Sequence, residues 1–372
     1  MARIGVRIGV NALYLIPGGV GGTEIYLREL LAAMAELDQT NEYLVFTNLE
    51  TQSDLVPKQA NFHWKPQAVH ARFRPARILW EQIVLPFEAA RYRLDVLFNP
   101  GFTAPIFSPC RQVTVFHDLQ HQRHPEYFRW FDLPFWRFLL WASAHRSHRL
   151  IAVSEATSSD LLHFYRIPRE RVTVVHHGVE PAFSRLDRSH TESYLLCVST
   201  LHPHKNLPRL IRAYGRKERD FPLILAGLRG FHAETIERLI DEMGLQESVQ
   251  ITGWVPREQL YSLYARARAF VYPSTFEGFG MPVLEALAAG IPVACSDIEP
   301  LRTIAADAAV LFDPASDAGL LQALELVCSD EPLRARLALA GPLRAAQFTW
   351  RRCALETLAI LEQAGGHSRP EL

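Results

Sequence analysis

Short runs of apolar and β-branched residues alternate along this chain with longer segments in which apolar residues recur at helical spacing. Five runs in the first half predict buried strands, at residues 4–10, 43–47, 94–98, 112–116 and 150–153. Six more follow in the second half, at residues 194–199, 223–226, 249–252, 269–272, 293–296 and 310–312. Strands that alternate with helices are typical of parallel sheets covered by helices. The pattern therefore predicts two doubly wound α/β domains.

A polar stretch at residues 176–193 separates the two sets of strands. It contains Gly178 and Pro181 and has no periodic apolar face, which indicates a linker between domains. A chain of 372 residues is long enough for two domains with complete cores. We therefore predict an N-terminal domain of residues 1–178 and a C-terminal domain of residues 179–347. Open α/β sheets bind ligands beyond the carboxyl ends of their strands, so two such sheets facing one another would share one cleft.

The composition excludes several classes of protein. Apolar residues make up 48% and charged residues 21% of the chain, which is ordinary for a folded globular protein. The formal net charge is -1, so no overall positive field would attract nucleic acid. The cysteines form no Cys-x-x-Cys pair, and no run of about 18 apolar residues could span a bilayer. We expect a cytoplasmic protein without disulfides and without a membrane-spanning helix.

The loop after the predicted strand at 269–272 combines features of a nucleotide-sugar site. In the sequence YPSTFEGFGMPVLEALAAG, Pro282 suits the first turn of a helix that ends near Gly290. Glycines let the backbone approach a ligand closely, and a helix N-terminus favours phosphate. Glu277 and Glu285 would instead accept hydrogen bonds from hydroxyl groups. A ligand with both phosphates and hydroxyls is a nucleotide sugar, whereas the alternative is a pair of solvated acids beside an ordinary loop.

Lys205 lies in a loop that follows the predicted strand at 194–199. A lysine at a strand end can neutralise the charge of a diphosphate, although an isolated lysine is more often a solvated surface residue. The neighbouring Asn206 is better explained as the N-cap of the next helix.

A second group of polar residues follows the predicted strand at 112–116. His117 and Asp118 stand at the strand end, where a side chain can point into a binding cleft. His121 and His124 could complete a metal site with them, but the segment lacks the His-Glu-x-x-His spacing of a helical zinc site. We therefore expect no metal ion, and structural roles for His121 and His124.

A glycine-rich loop, IPGGVGGTEIYLREL, follows the first predicted strand. Its spacing does not complete the Gly-x-Gly-x-x-Gly pattern of dinucleotide-binding domains, because Glu24 occupies the position of the last glycine. The absence of a Gly-Lys-Ser/Thr sequence also excludes a P-loop. The open alternatives are a ligand-binding loop that contains Gly21 and Gly22 and a flexible surface loop.

The loop with the two glutamates closely resembles the donor-site motif of the retaining glycosyltransferases of family 4. These enzymes have the GT-B fold, in which two Rossmann-like domains face a central cleft. The resemblance implies that Glu277 binds hydroxyls of the donor sugar and that Glu285 binds the ribose of the nucleotide. The backbone of Phe279, Gly280 and Met281 would bind the sugar and the phosphates.

Other segments resemble the same family. Lys205 matches the lysine of a Lys-Asn motif that holds the leaving nucleoside diphosphate, although Thr200 stands where many members carry an arginine. His117 matches a histidine that contacts the donor sugar near the reacting centre. The segment ITGWVP resembles the loop whose backbone reads the nucleobase, with Trp254 and Val255 at its centre. Trp254 could stack on the base, or it could equally belong to the core.

The similarity extends over nearly the whole chain. In the family, a Gly-Gly-x-Glu loop, here with Gly21 and Gly22, borders the acceptor and the diphosphate. The segment at residues 348–372 resembles the closing helix that returns to the first domain. The residues with implied catalytic roles are His117, Lys205 and Glu277.

The resemblance implies a retaining, metal-independent enzyme that moves a hexose from a nucleotide diphosphate sugar to a carbohydrate or lipid-linked saccharide. Local details resemble bacterial mannosyltransferases of surface-polysaccharide assembly, which favours GDP-mannose as the donor. No cofactor beyond the donor is expected. Two alternatives stay open: a non-hydrolysing nucleotide-sugar epimerase, and a sugar-nucleotide-binding protein without catalytic activity.

Residues 128–149 are unusually rich in aromatic and basic side chains. Such a segment could lie on a membrane surface, which would suit a lipid-linked acceptor. The favoured interpretation is a pair of helices that bury their aromatic side chains and are interrupted at Pro134.

Overall fold

The computed structural model describes residues 5–18, 21–191, 194–216 and 221–366. The chain divides into two compact units. The N-terminal unit contains the chain up to Gly178 together with the final helix from Trp350, and the C-terminal unit runs from Val179 to Thr349. Each unit is built on one parallel sheet, which confirms the prediction of a doubly wound α/β architecture.

The sheet of the N-terminal unit has seven strands among the described residues. They are β1 Arg7–Asn11, β2 Glu42–Thr47, β3 Phe62–Pro66, β4 Val96–Asn99, β5 Arg111–Phe116, β6 Arg149–Ala152 and β7 Val172–Val174. All neighbours are parallel, and their order is β3-β2-β1-β4-β5-β6-β7. The central strands β1, β4 and β5 are buried at almost every position, as expected where helices cover both faces of a sheet.

The helices of the N-terminal unit connect these strands. They are α1 Gly22–Leu37, α2 Arg74–Arg91, α3 Gln120–Arg123, α4 Leu133–Arg146 and α5 Glu155–Tyr165, with α14 Trp350–Gly365 at the end of the chain. Helix α14 packs on this unit: Asn41 Nδ2 donates to Glu362 Oε1 at 2.9 Å, and Trp350 lies 6.1 Å from the ring of Tyr26. The closing segment therefore joins the N-terminal unit, and residues 367–372 of that prediction lie outside the described residues.

The C-terminal unit repeats the architecture. Its described strands are β8 Leu195–Val198, β9 Leu223–Ala226, β10 Val249–Gly253, β11 Ala269–Tyr272, β12 Val293–Ser296 and β13 Val310–Phe312. They are parallel in the order β10-β9-β8-β11-β12-β13. Its helices are α6 Pro181–Ser184, α7 Leu207–Gly215, α8 Ala233–Glu242, α9 Arg257–Arg266, α10 Met281–Ala288, α11 Leu301–Ala305, α12 Asp317–Ser329 and α13 Glu331–Ala345.

Two strands of the N-terminal unit are absent from the sequence prediction. Strand β3 is an edge strand with the sequence FHWKP, in which buried and more exposed positions alternate. Strand β7 is three residues long and also lies at an edge. Neither has the continuous apolar run that marks a strand covered on both faces. The first strand begins at Arg7, and residue 4 of the predicted run lies outside the described residues.

The predicted linker at residues 176–193 is wrong beyond Gly178. Helix α6 lies inside that stretch, and Phe183 is fully buried in the C-terminal unit. Arg188 then donates to the carbonyl oxygens of Tyr264 at 2.8 Å and Ala267 at 3.0 Å. A short polar stretch can therefore pack through one aromatic anchor and one arginine without any periodic apolar face. Residues 192 and 193 lie outside the described residues.

The interpretation of residues 128–149 as a buried helix pair is also wrong. Pro134 lies in the first turn of α4 instead of interrupting a helix, as expected for a residue whose missing N–H is harmless there. The side chains of Phe131, Phe135 and Phe138 are 56%, 50% and 56% exposed. Among the described residues, no helix has both the length and the hydropathy to cross a bilayer.

Candidate active site

Two loops of the C-terminal unit meet at one edge of its sheet. One follows β8 and ends in the short helical turn Pro203–Lys205, and the other follows β11 and leads into α10. Strands β8 and β11 are hydrogen-bonded neighbours, although other strands separate them in the sequence. The strand order reverses between them, and ligands of open α/β sheets bind at such a switch point.

Lys205 and Glu277 form an ion pair at this switch point. Lys205 Nζ lies 2.6 Å from Glu277 Oε1 and 3.0 Å from the hydroxyl oxygen of Tyr272. The side chains of Lys205 and Glu277 are only 14% and 10% exposed, so solvent screens the pair weakly. Burial, and next the charge of Glu277, raise the pKa of Tyr272, which therefore remains a neutral phenol. The structure thus brings these two predicted residues into contact, and their roles toward a phosphate and toward sugar hydroxyls stay predictions.

The glycine-aromatic-glycine sequence shapes the loop in front of α10. Gly280 has φ 109°, and a Cβ atom there would lie 2.3 Å from Leu301 Cδ2, so only glycine fits. Phe279 is 4% exposed, and its ring contacts Phe348 edge-on at 6.3 Å. The aromatic side chain therefore anchors the loop, while Pro282 starts the helix in its first turn. The role of the Phe279, Gly280 and Met281 backbone toward the sugar and the phosphates stays a prediction.

Glu285 lies on α10 in a separate network of side chains. The residue is 5% exposed, and its Oε2 accepts a hydrogen bond of 2.8 Å from the hydroxyl of Tyr264. Its Oε1 accepts from Arg257 Nη2 at 3.2 Å. Burial raises the pKa of Glu285, and the charge of Arg257 opposes that shift. Each oxygen keeps one further lone pair, and the role of Glu285 toward a ribose stays a prediction.

No local sequence pattern indicates the residues that hold Glu285. Arg257 also forms an ion pair with Glu180, whose Oε2 accepts a hydrogen bond of 2.5 Å from the hydroxyl of Tyr261. Glu180 belongs to the stretch that was expected to be a linker. The two carboxylates raise the pKa of Arg257 against the effect of its burial. Arg257 therefore bridges two acidic side chains, and it fixes one oxygen of Glu285.

Three other predicted donor residues occupy loops of the C-terminal unit. Trp254 is 58% exposed, so the alternative of a core role is wrong, while Val255 is half-buried. Thr200 is half-buried beside the Lys205 loop, and its carbonyl oxygen accepts from the amide of His202 at 2.8 Å. Asn206 is the residue before α7, but its side chain donates to the Pro314 carbonyl at 3.1 Å instead of capping the helix.

His117 follows β5 in the N-terminal unit and is 7% exposed. Its Nε2 lies 2.8 Å from the carbonyl oxygen of Pro100. A carbonyl oxygen only accepts, so Nε2 carries the proton and the neutral ring keeps Nδ1 as an acceptor. Burial lowers the pKa of His117 to about 4, despite the opposing hydrogen bond to Pro100. At neutral pH this imidazole can accept a hydrogen bond from a hydroxyl, but it carries no charge.

The other polar residues of that segment have separate partners. His121 is 3% exposed, and its Nε2 lies 2.5 Å from the hydroxyl of Tyr165. His124 pairs with Glu126 at 3.0 Å, and Asp118 accepts a hydrogen bond from the amide of Gln120. Among the described residues, no three His, Cys, Asp or Glu side chains are placed to hold a metal ion.

The glycine-rich loop of the N-terminal unit ends at α1. Gly21 has φ 58° and precedes the helix, and Gly22 is its first residue. The side chain of Glu24 accepts from the amide of Gly18 at 2.8 Å and pairs with Arg28, so the acid closes the loop. Residues 19 and 20 lie outside the described residues, and the roles of Gly21 and Gly22 stay predictions.

A comparison with solved structures defines the class of the fold. The crystal structure of Anabaena HepE in complex with UDP-glucose matches with a TM-score of 0.76 and 17% sequence identity. The match covers 96% of this chain and 100% of the other. At this identity the likeness shows the fold alone, which is the GT-B fold of glycosyltransferases.

Comparisons of sequence identify the family. The model for glycosyl transferases group 1 matches residues 179–344, and the model for Glycosyltransferase Family 4 matches residues 20–183. The O-antigen chain mannosyltransferase B of Escherichia coli is 31% identical over 72% of this chain and 74% of the relative. The O-antigen chain mannosyltransferase RfbU of Salmonella typhimurium is 28% identical over 55% of this chain and 57% of the relative. The chain therefore belongs to glycosyltransferase family 4, and it is a glycosyltransferase.

Proposed function

We propose that this enzyme transfers mannose from GDP-mannose, with retention of configuration, to a saccharide acceptor of surface-polysaccharide or lipopolysaccharide synthesis. The observation that carries the proposal is the contact of Lys205 with Glu277 at the switch point of the C-terminal sheet. The choice of mannose is supported by the two O-antigen mannosyltransferases that this chain resembles.

The proposed chemistry places each charge where the reaction needs it. Positive charge develops at the anomeric carbon while negative charge accumulates on the departing diphosphate. Lys205 and the amides at the start of α10 would stabilise the leaving group, which is the larger localised charge. Glu277 would hold hydroxyls of the sugar, and His117 would accept from another hydroxyl without adding charge. The bond between the anomeric carbon and the diphosphate oxygen then breaks, the acceptor hydroxyl oxygen bonds to that carbon, and the departing GDP takes up the proton of the hydroxyl.

A nucleotide-sugar screen tests this function. A ligand that binds only the folded protein raises the melting temperature, so GDP-mannose should raise it more than UDP-sugars do. Proton NMR of the product should show an α-linked mannose from the α-linked donor. A stronger shift with UDP-sugars would overturn the choice of donor, and a β-linked product would overturn retention. Release of an altered sugar without any acceptor would instead identify an epimerase.

We expect transfer to survive complete removal of divalent cations by a chelator. The ammonium of Lys205 and the N-terminus of α10 supply the positive field that a metal ion supplies in other transferases. The initial rate is measured with and without EDTA and after addition of magnesium or manganese. Loss of activity with chelator and recovery with metal would contradict this expectation.

The N-terminal unit also presents an apolar surface that suits a lipid bilayer. On α2 the exposed side chains Leu79, Ile83 and Phe87 recur every fourth residue and form one stripe. Helix α4 presents a second stripe through Phe135 and Phe138. Both helices contact the segment at residues 104–106, where Gln82 and Ser143 hydrogen-bond its backbone. The two helices that carry the stripes therefore both pack against this segment of the unit.

Two arginines contact other exposed aromatic rings of the same unit. The guanidinium of Arg146 lies 5.6 Å from the ring of Phe107, and that of Arg129 lies 6.0 Å from the ring of Phe131. Aromatic rings with neighbouring arginines favour the interface of a membrane that contains anionic lipids. We propose that this surface binds the bilayer in which a lipid-linked acceptor is held.

Replacing both Phe135 and Phe138 by serine should weaken binding to vesicles by about tenfold or more, because each exposed ring removes its area from water on binding. Co-sedimentation with vesicles of phosphatidylglycerol and phosphatidylcholine measures the effect. Phe231→Ser is the matched control, because Phe231 is 65% exposed on the C-terminal unit. Equal vesicle binding by the double variant and the wild type would overturn the membrane surface.

A further inference from the structure

A cavity of about 920 Å³ lies within the N-terminal unit at the carboxyl ends of its strands. The loops that follow β1, β4 and β5 line it, together with the first turn of α2 and part of α4. Its wall carries aromatic side chains, among them Tyr14, Phe102 and Trp136. Three arginines also line it, namely Arg74, Arg77 and Arg129. A wall of aromatic rings and cations is suited to bind a sugar that carries an anionic substituent.

Arg77 is the unusual member of this set. It is 7% exposed, and among the described residues its Nε has no hydrogen-bond partner. Burial lowers the pKa of Arg77, and the nearby charge of Glu81 opposes that shift. A guanidinium nevertheless stays protonated at any physiological pH. A charged group in this position is costly unless another group pairs with it.

The neighbouring carboxylate of Glu81 does not pair with Arg77. Glu81 Oε2 accepts from Thr103 Oγ1 at 2.8 Å and from Asn11 Nδ2 at 3.1 Å, and its Oε1 accepts from Gln82 Nε2 at 3.3 Å. Within the described part of the chain, no ion pair joins Arg77 to an acidic side chain. The Nε–H donor of Arg77 is therefore left for a group that enters the cavity.

The chemistry of a guanidinium limits what that group can be. Its planar fork of N–H donors matches the paired oxygens of a phosphate or a carboxylate, and such charge-assisted bonds are the strong ones. Arg74 stands on the same helix, exposed, and its guanidinium lies 5.9 Å from the ring of Trp136. The volume of about 920 Å³ also exceeds what one anion requires and leaves room for sugar rings.

We propose that this cavity binds an acceptor saccharide that carries an anionic group, either a phosphate ester or a sugar carboxylate, and that Arg77 binds that group. The proposal rests on the proposed transfer to a saccharide acceptor, and it adds the chemical class of the acceptor. Arg77 would then select charged acceptors over neutral ones.

Calorimetric titration of the full chain tests the proposal with three sugar probes: mannose 1-phosphate, glucuronate and methyl mannoside. At least one anionic probe should bind the wild type about tenfold or more tightly than the neutral probe, because a charge-assisted bond is worth that much. Arg77→Met should abolish this preference. Arg91→Met is the matched control, because Arg91 lies on the same helix and its side chain is 71% exposed. The arms with phosphate and carboxylate decide which anion is recognised.

Two further measurements separate the alternatives. Arg77→Met should melt no lower than the wild type, since it removes an unpaired buried charge, and a lower melting temperature with unchanged anion binding would assign Arg77 a structural role. Anion binding that persists in Arg77→Met but disappears in Lys205→Met would place the anion on the C-terminal unit and overturn the proposal. GDP-mannose binding is titrated in parallel. If Arg77→Met still binds GDP-mannose, the donor site is intact in the variant. If the wild type does not bind GDP-mannose, the proposed donor is refuted, and the result for the cavity is unaffected.

Discussion

Glu277→Ala should lower the rate of transfer by about 10²–10³-fold, while the affinity for GDP stays unchanged or rises slightly. The carboxylate is proposed to hold hydroxyls of the transferred mannose, which free GDP does not contain. Glu277 also forms an ion pair with Lys205 at 2.6 Å, so its removal releases the ammonium for the diphosphate. Steady-state kinetics with GDP-mannose and calorimetric titration with GDP measure the two quantities separately.

Glu285→Ala should show the opposite division. A ribose hydroxyl that loses a charged acceptor weakens nucleotide binding by about 1.5–3 kcal/mol, which is roughly 10- to 150-fold in the dissociation constant. Glu285→Gln is the matched variant, because the amide preserves the volume and can still accept from Tyr264. Equal effects of the two alanine substitutions on GDP affinity would refute the assignment of the carboxylates to different hydroxyls.

The Glu285 variants also test how Arg257 contributes to the stability of the fold. It donates to Glu285 at 3.2 Å, and it also pairs with Glu180. When Glu285 is replaced by alanine, the guanidinium keeps one carboxylate, so the loss of stability should be smaller than for a charge left without any partner. A large drop in melting temperature would show that Arg257 depends on Glu285 for its pairing.

The sheets were predictable because most of their strands are covered on both faces. Strands β9, β11 and β12 are buried at every position, so each reads as an unbroken apolar run, and each has the predicted bounds. Strand β3 was not predicted because it lies at an edge of the sheet and exposes alternate side chains. Complete burial therefore makes a strand easy to identify, although β10 and β13 were also predicted and are only partly buried.

The candidate site was predictable in its residues but not in its contacts. Lys205 and Glu277 were chosen separately from two loops, and parallel pairing of β8 with β11 brings those loops together. The partners of Glu285 stand 21 and 28 residues earlier, on another helix, and no local pattern indicates them. The role of Arg77 was not predicted either, because a sequence does not show whether a buried cation has a partner.

The exposed aromatic side chains of α4 show a further limit. Aromatic residues are usually counted as core residues because they gain most from leaving water. Helix α4 instead buries small residues such as Ser143 and Ala144 and exposes Phe135 and Phe138. A helix with this arrangement gives no clear apolar face in its sequence, so only the structure reveals which side is turned outward.

His117→Ala should reduce turnover by about 10²-fold or more with little change in GDP affinity. The imidazole is proposed to contact the sugar, which changes most between the ground state and the transition state, and not the nucleotide. Because its pKa lies at about 4, the ring is neutral from pH 5.5 to 8, and we expect no loss of rate from its protonation in that range. Turnover is measured across that pH range, and GDP affinity is measured by titration.

His117→Gln separates a role in the reaction from a role in the fold. Nε2 of His117 donates to the Pro100 carbonyl at 2.8 Å, and a glutamine amide can donate to the same oxygen. If the histidine only fastens the strand end, glutamine should restore both the melting temperature and the turnover that alanine removes. If the ring accepts from a sugar hydroxyl through Nδ1, glutamine should restore stability and leave turnover low. Wild-type turnover in His117→Ala would assign the residue to the fold alone.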